Sequence, residues 1–238
     1  MLKKQYSPEQ ISGVLNKEHG ISLSHQAIYD HVGADKSDGG HLWKNLHHSS
    51  KKRKKRYGSN DYRGRIKNRV GIEKRPAVVD ERSRIGDWEI DTIIGKGHKG
   101  TLVTIVERKS RYTLSECVNS KNAREVAEAT VELLSPIKDK VLTITADNGR
   151  EFSLHEEIAR RLDTQFYFAR PYHSWERGTN ENTNSLIRQY FPKSTDLREV
   201  TDGQVKFVCD RLNDRPRKTL DFLRPNHAFL KEPITNAG

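Results

Sequence analysis

The residues that could do chemistry in this chain are carboxylates placed on or beside strands. The stretch Thr145-Ala146-Asp147-Asn148-Gly149-Arg150-Glu151-Phe152 follows Val141-Leu142-Thr143-Ile144, an apolar and β-branched run that reads as a buried strand. Asn148-Gly149 signals a turn, because both residue types tolerate positive φ. Asp147 therefore stands at the carboxyl end of a strand, where open α/β sheets place their ligands. A second carboxylate, Asp91, lies in the strand-like run 88–94. Asp87 and Glu89 alternate with it on one face, so Asp87 rivals it as a ligand. A third, Glu181, comes 34 positions after Asp147 in a polar helical stretch. Ser185 and Arg188 fall close to its helical face at i+4 and i+7, while Glu151 and Glu176 rival it.

Two carboxylates on strands and one on a helix suit hard divalent cations that prefer oxygen. Mg²⁺ keeps several waters and takes few protein oxygens, so three carboxylates suffice for a pair of ions. Two ions roughly 3.5–4 Å apart can activate an attacking oxygen and stabilise a leaving one in phosphoryl transfer. Arg188 beside Glu181 would offer a guanidinium to a DNA phosphate.

The elements that must position these groups follow from the hydrophobic pattern. Strands are expected at 88–94, 101–106 and 112–118, the last two joined by the short connection Lys109-Ser110-Arg111. A helix over 122–134 is followed by Pro136, then come a strand over 141–145, a helix over 153–162 capped by Ser153, and a strand over 165–168. Residues 170–178 read as a surface loop, 179–190 and 202–212 as helices, and 213–218 as a basic loop. Three strands joined by short turns make an antiparallel half, and helix-linked strands make a parallel half. The expected fold class is α/β, a mixed five-stranded sheet flanked by helices as in a ribonuclease H-like domain, over residues 81–238.

The other end of the chain differs. The 238 residues carry a net charge of +11, but residues 1–85 hold 19 Lys and Arg against 9 Asp and Glu, whereas 86–238 hold 24 against 23. A basic surface confined to one end points to a polyanion such as double-stranded DNA. Ser7 caps a helix with Pro8 first and Gln10 completing a capping box, Tyr6 and Ile11 form a staple, and Gly20 ends the helix. Ser22 or Ser24 caps a second helix through Ala27, Ile28 and Val32. The pair, over 1–47, reads as a small all-α helix-turn-helix unit whose outward His25, Gln26 and Tyr29 would face bases or phosphates. Residues 48–80 read as a basic linker, in which Lys51, Lys52, Arg53, Lys54, Lys55 and Arg56 would grip phosphates. Cys117 and Cys209 are the only cysteines, which argues against a disulfide framework and a Cys-rich zinc site. There is no signal peptide or apolar run of membrane length, so no membrane partner is expected and the cytoplasm is the expected location.

Three blocks then carry a resemblance: Trp88-x-x-Asp91-Thr92, Ala146-Asp147-Asn148-Gly149-x-Glu151-Phe152, and Gly178-Thr179-Asn180-Glu181-Asn182-Thr183-Asn184. Together they resemble the catalytic blocks of DDE transposases and retroviral-type integrases. The last block with Leu186, Arg188, Gln189, Tyr190, Phe191, Pro192 and Lys193, and the later Asn213-Asp214-Arg215-Pro216-Arg217-Lys218-Thr219-Leu220, resemble bacterial insertion-sequence transposases of the IS-thirty family. The resemblance implies Asp91, Asp147 and Glu181 as the metal-binding catalytic triad and favours Asp91 over Asp87. It implies strand cleavage and joining with Mg²⁺ or Mn²⁺, at the inverted repeats of the protein's own element and at a target. It also implies DNA backbone contacts from Arg188 and Lys193, a homo-multimer on DNA, and nucleoid association in a bacterial cell. Members of that family usually carry a further amino-terminal helix-turn-helix region, whereas this chain begins almost at Ser7, so either a shortened copy or a start assigned late is expected. A second reading is therefore a truncated, non-transposing copy that occupies element ends as an inhibitor, and a third is a ribonuclease H-like nuclease.

Overall fold

The computed structural model of the chain describes residues 1–47, 66–170 and 178–231. These divide into two compact units: Met1–Asp61 with Asp214–Ala228, and Tyr62–Asn213 with Phe229–Gly238.

The smaller unit opens with α1 (Pro8–His19) and α2 (His25–Ser37). The capping box at Ser7 forms in both directions, Ser7 accepting from the Gln10 N–H and Gln10 accepting from the Ser7 N–H. Gly20 ends α1 at φ 66°, the left-handed conformation that glycine adopts without steric cost. Of the two expected caps of α2, Ser24 is used, accepting from the Ala27 N–H at 3.1 Å. Tyr6, Ile11 and Ile28 form the small core. The basic loop expected over 213–218 is non-helical from 214 to 217, and beyond it the segment adds a 3₁₀ turn at Lys218–Leu220 and the start of α8 (Pro225–Lys231). The body was expected to run to the chain end. Instead residues 214–228 cluster with the amino-terminal unit, and the apolar contacts of this tail, described below, are the reason.

The larger unit is a five-stranded sheet, β1 (Asp87–Ile94), β2 (Thr101–Glu107), β3 (Thr113–Val118), β4 (Thr143–Ala146) and β5 (Gln165–Phe168), in the order β3-β2-β1-β4-β5. The first three strands pair antiparallel, and β1–β4 and β4–β5 pair parallel, so the two halves meet at β1. Parallel strands need crossovers, supplied by α4 (Ala123–Leu134) and α5 (His155–Leu162). Both pack on one main core with Trp88, Ile90, Val103, Ile105, Ile144 and Phe168. α6 (Gly178–Ile187) and α7 (Asp202–Asn213) close a second core over Ile93, Leu102 and Leu197. The outer strand β3 is covered by α7, whose last residue, Asn213, both donates to and accepts from the Thr113 backbone at 2.8 Å. The outer strand β5 is met by a bridge between Phe168 and Gly71.

Two local expectations differ. Ser153 does not cap α5; a 3₁₀ turn over Arg150–Phe152 precedes it, and Leu154 takes the cap position without a side-chain hydrogen bond. The stretch 66–80 is not linker. Ile66 packs on the main core, Phe168 donates its N–H to the Val70 carbonyl, and α3 (Val78–Glu81) buries Val79 completely. Apolar residues spaced among the charges dock this stretch on the sheet, and the net charge masked them. The basic run 51–56 lies outside the described residues.

Candidate active site

The parallel pairing of β1 with β4 sets Asp87 opposite Thr143, Trp88 opposite Ile144, and Glu89 opposite Thr145. Side chains alternate along a strand, so Asp87, Glu89 and Asp91 share a face with Thr143, Thr145 and Asp147. Continuing the register two residues past the last pair brings Asp91 level with Asp147. Neighbouring strands are ~4.8 Å apart, which is the right scale for carboxylates serving one ion or an ion pair.

The three rows on that face have different fates. Asp87 is fully buried, held by the Arg84 guanidinium and by the Thr143 hydroxyl at 2.8 Å. Glu89 is also fully buried; it pairs with Arg108 at 2.6 Å and accepts the N–H of Asn180 at 3.1 Å. Both are spent on holding the molecule together. Asp91 and Asp147, at the open end, are only half-buried. Asp91 accepts from the Thr92 N–H at 2.8 Å and from the Asn184 side-chain amide at 3.0 Å. Asp147 accepts from the Gly149 N–H at 2.8 Å, which folds the turn back on itself. Asn148 donates to the Ala169 carbonyl at 2.7 Å and receives the Arg69 guanidinium, so the turn is held at both sides.

Glu151 follows in that turn. It is buried, pairs with Lys121 at 2.7 Å and accepts from the Thr92 hydroxyl at 3.2 Å. Its carboxylate folds over Gly149, where a Cβ would lie 2.3 Å from an oxygen. Glu151 thereby joins the turn bearing Asp147 to the strand bearing Asp91.

Glu181 is exposed in the first turn of α6. The helix is anchored on the same face of β1 by residues flanking it: Asn180 on Glu89, and Asn184 on Asp91. Thr179 also accepts from Arg111 at 2.6 Å. Burial beside Arg82 pushes the Arg111 guanidinium down to about 10. Among the described residues no three His, Cys, Asp or Glu side chains stand close enough to hold a metal ion. The donor chemistry of Asp91 and Asp147 fits a hard cation, and Glu181 is not gathered with them. Glu176, its rival, lies outside the described residues.

The expected DNA contacts divide. His25, Gln26 and Tyr29 all lie exposed on α2, whose Ile28 and Val32 are buried, with Gln26 donating to Asp30 at 2.8 Å. Lys193 is exposed. Arg188 is turned inward: it donates to the Ile94 carbonyl at 2.8 Å and to those of Phe191 and Pro192 at 3.4 Å, and burial lowers its pKa. Its guanidinium pins the end of α6 to the end of β1 instead of facing outward, because the helix lies against the strand there. Asn184, Thr92, Lys121 and the Glu89–Arg108 pair carried no role in the sequence reading. Only Asn184 had a readable signal, standing one turn from Glu181 on the same side of the helix.

Comparison with known proteins gives consistent matches. Residues 82–174 match the integrase core domain family. The chain is 49% identical over 229 residues to the transposase for insertion sequence element IS4351 of Bacteroides fragilis, covering 96% of this chain and 70% of that protein. It is 36% identical to the transposase for IS1086 of Cupriavidus metallidurans, covering 94% and 68%. It is 35% identical to transposase InsI for IS30A of Escherichia coli K12, covering 94% of this chain and 61% of that one. Among solved structures, the catalytic core domain of BIV integrase aligns with a TM-score of 0.49 at 20% identity, over 61% of this chain and 93% of that one.

Proposed function

The chain belongs to the insertion-sequence transposases that carry an integrase core domain, including those of the IS30 kind, and from that premise we propose that Asp91, Asp147 and Glu181 are its catalytic triad. The reaction is strand cleavage at the ends of its own element, followed by joining of the freed end to target DNA. The observation that carries this is the register of β1 and β4, which sets Asp91 level with Asp147 at the open end of the sheet. A divalent cation, Mg²⁺ or Mn²⁺, held by these two carboxylates and completed by Glu181 would supply charge stabilisation at the phosphate under attack.

The chain's own residues have separate tasks. Asn184 and the Thr92 N–H each hold one oxygen of Asp91, and the Gly149 N–H holds one oxygen of Asp147. Arg188 keeps the end of α6, the helix that carries Glu181, against the end of β1. Double-stranded DNA meets α2 through His25, Gln26 and Tyr29, and the backbone is gripped by the 51–56 run and Lys193. Such binding weakens steeply with salt as counterions return to the phosphates. Cleavage and joining need several DNA ends at once, which calls for a homo-multimer.

The test is a cleavage and strand-transfer assay on labelled duplexes carrying the element's terminal sequences. Asp91→Asn, Asp147→Asn and Glu181→Gln each remove a negative charge and keep the shape, so each should abolish metal-dependent products while DNA binding persists. An active Asp91→Asn or Asp147→Asn protein would sink the assignment. An active Glu181→Gln protein would remove only the third member.

A further inference from the structure

The helix α1 carries Gly13 at its centre, where Ala would be the better helix former. Another segment of the same unit explains it. A Cβ at Gly13 would stand 2.2 Å from the ring carbons of Phe222, which occupies that space. Around this contact, Tyr6 Oη donates to the Asp214 carbonyl at 3.1 Å, Lys17 pairs with Asp221, and Lys218 pairs with Glu9 at 2.6 Å. The two ion pairs are open to water, with side-chain exposures of 39% and 83%, and of 69% and 51%, so neither holds the segment by itself. Of these contacts, the Phe222 ring and the Tyr6 hydroxyl are the ones away from open water. Asp221 and Phe222 both take positive φ, 50° and 59°, a region that side-chain-bearing residues rarely adopt. The turn is nevertheless closed by hydrogen bonds from Asp221 to Lys218 and from Phe222 to Arg217. His25, the first residue of α2, lines one cavity of about 510 Å³ together with Lys218, Asp221 and Phe222.

We propose that residues 214–228 are the second half of the DNA-reading unit, with Phe222 as the positioning residue that holds α1. Through the shared Tyr6–Ile11–Ile28 core, this strap also holds the reading helix α2. The proposal rests on the reading that α2 meets DNA. The surface that meets DNA is then set by residues more than 150 positions from it in the chain, and the shape of α2 alone would not suffice to read a site.

Truncating the tail is not the test, because Phe229 stacks on Tyr112 and meets the edge of Trp88 in the core of the larger unit. The full chain is used, with Phe222→Ala, Gly13→Ala and the double variant. Two quantities are read: hydrogen exchange of α1 and α2 amides in the free protein, and binding to a fluorescein-labelled random-sequence duplex. Phe222→Ala should speed exchange in α1 and α2 but not in β1–β5. It should weaken binding about tenfold, as when one molecule in ten keeps the competent arrangement. Gly13→Ala should speed exchange when the ring is present and slow it in the Phe222→Ala background, where only helix propensity remains. Unchanged exchange in Phe222→Ala, equal signs of Gly13→Ala in both backgrounds, or faster exchange with unchanged binding would each overturn the proposal. The triple variant His25→Ala, Gln26→Ala, Tyr29→Ala separates the two ideas. If it loses binding and Phe222→Ala does not, the strap fails alone; if neither loses binding, DNA reading by α2 fails with it.

Discussion

Asn184, one turn after Glu181 on α6, donates its side-chain amide to the Asp91 carboxylate at 3.0 Å, while its own oxygen lies 3.0 Å from the Thr104 hydroxyl. The carboxylate only accepts, so it takes the amide N–H and leaves the amide oxygen facing the Thr104 hydroxyl, which also lies 3.3 Å from the Asp91 carbonyl. A strand carboxylate of the proposed triad is thus aligned by the helix that carries the third member. Asn184→Ala should leave the fold and DNA binding intact and slow strand cleavage. A hydrogen bond to a charged group is worth about 1.5–3 kcal/mol, so the expected loss is on the order of 10- to 100-fold in rate. Single-turnover cleavage at saturating DNA measures it, and an unchanged rate would leave Asn184 with no part in positioning Asp91.

Asp87 is no neutral comparison for Asp91, although the two share a face of β1. Its carboxylate is fully buried against Thr143 and Arg84, whose side chain is 16% exposed, and Asn in its place leaves that partly buried guanidinium without its charged partner. Asp87→Asn should cost about 1.5–3 kcal/mol of stability, the usual worth of a hydrogen bond to a charged group. Asp91→Asn, at a half-buried site, should cost far less. Thermal melts of the two variants side by side decide it: equal melting temperatures would mean that the Arg84 pair contributes nothing.

Gly149 has an ordinary backbone at φ −68°, and the nearest obstacle to an Ala there is the Glu151 carboxylate. Gly149→Ala should displace Glu151 from Thr92 and Lys121 and reduce cleavage, with about 1–3 kcal/mol lost to overpacking. Adding Glu151→Ser makes room for the methyl group. If the double variant melts no higher than Gly149→Ala alone, the clash is not the cause.

The Glu116 carboxyl is pushed up to about 7 by burial, and further by Glu132 and Asp202 nearby. In the unfolded chain it titrates near its ordinary value of 4.5. Between these values the folded protein holds a proton that the unfolded chain has released, so its contribution to stability falls as pH rises through this window. The contribution is complete below about 4.5 and gone above about 7. Glu116→Gln should therefore raise the melting temperature at pH 8 relative to the parent and change it little at pH 4. A gain of the same size at both would assign the effect to packing.

Much of this site was legible because strand alternation and a turn signal are local properties. Asp147 at a strand end needed only Val141–Thr145 before it and Asn148-Gly149 after it. That Asp87 and Asp91 share a face followed from their spacing, but which one stays open did not, because Arg84 and Thr143 reach Asp87 only once the sheet is paired. Arg188 misled for a similar reason: helical spacing put it near Glu181, and the carbonyls of Ile94, Phe191 and Pro192 that claim it come from elsewhere. The segment 66–80 was read from its charge, and Ile72 and Val79, which bury it, were too sparse to form a period. Residues 214–228 carried no periodic signal at all. Their place depends on a ring from one end of the chain filling the gap over a glycine at the other.

Each of the two outer strands of the sheet has one residue whose outward backbone is met from another segment. On β3 the side chain of Asn213 copies the backbone of a neighbouring strand, satisfying the donor and the acceptor of Thr113 together. On β5 the Gly71 bridge and the Val70 carbonyl do the same for Phe168. The homo-multimer proposed above would reach high local concentration on DNA, the condition under which an open strand edge recruits its like and precipitates. Asn213→Ala reopens one such edge, and the resulting protein should grow turbid on concentration while its melting temperature, measured dilute, stays within reach of the parent's. Capping at these positions would bias association away from the strand edges and leave the surfaces of the proposed DNA complex free of competition from self-templated stacking.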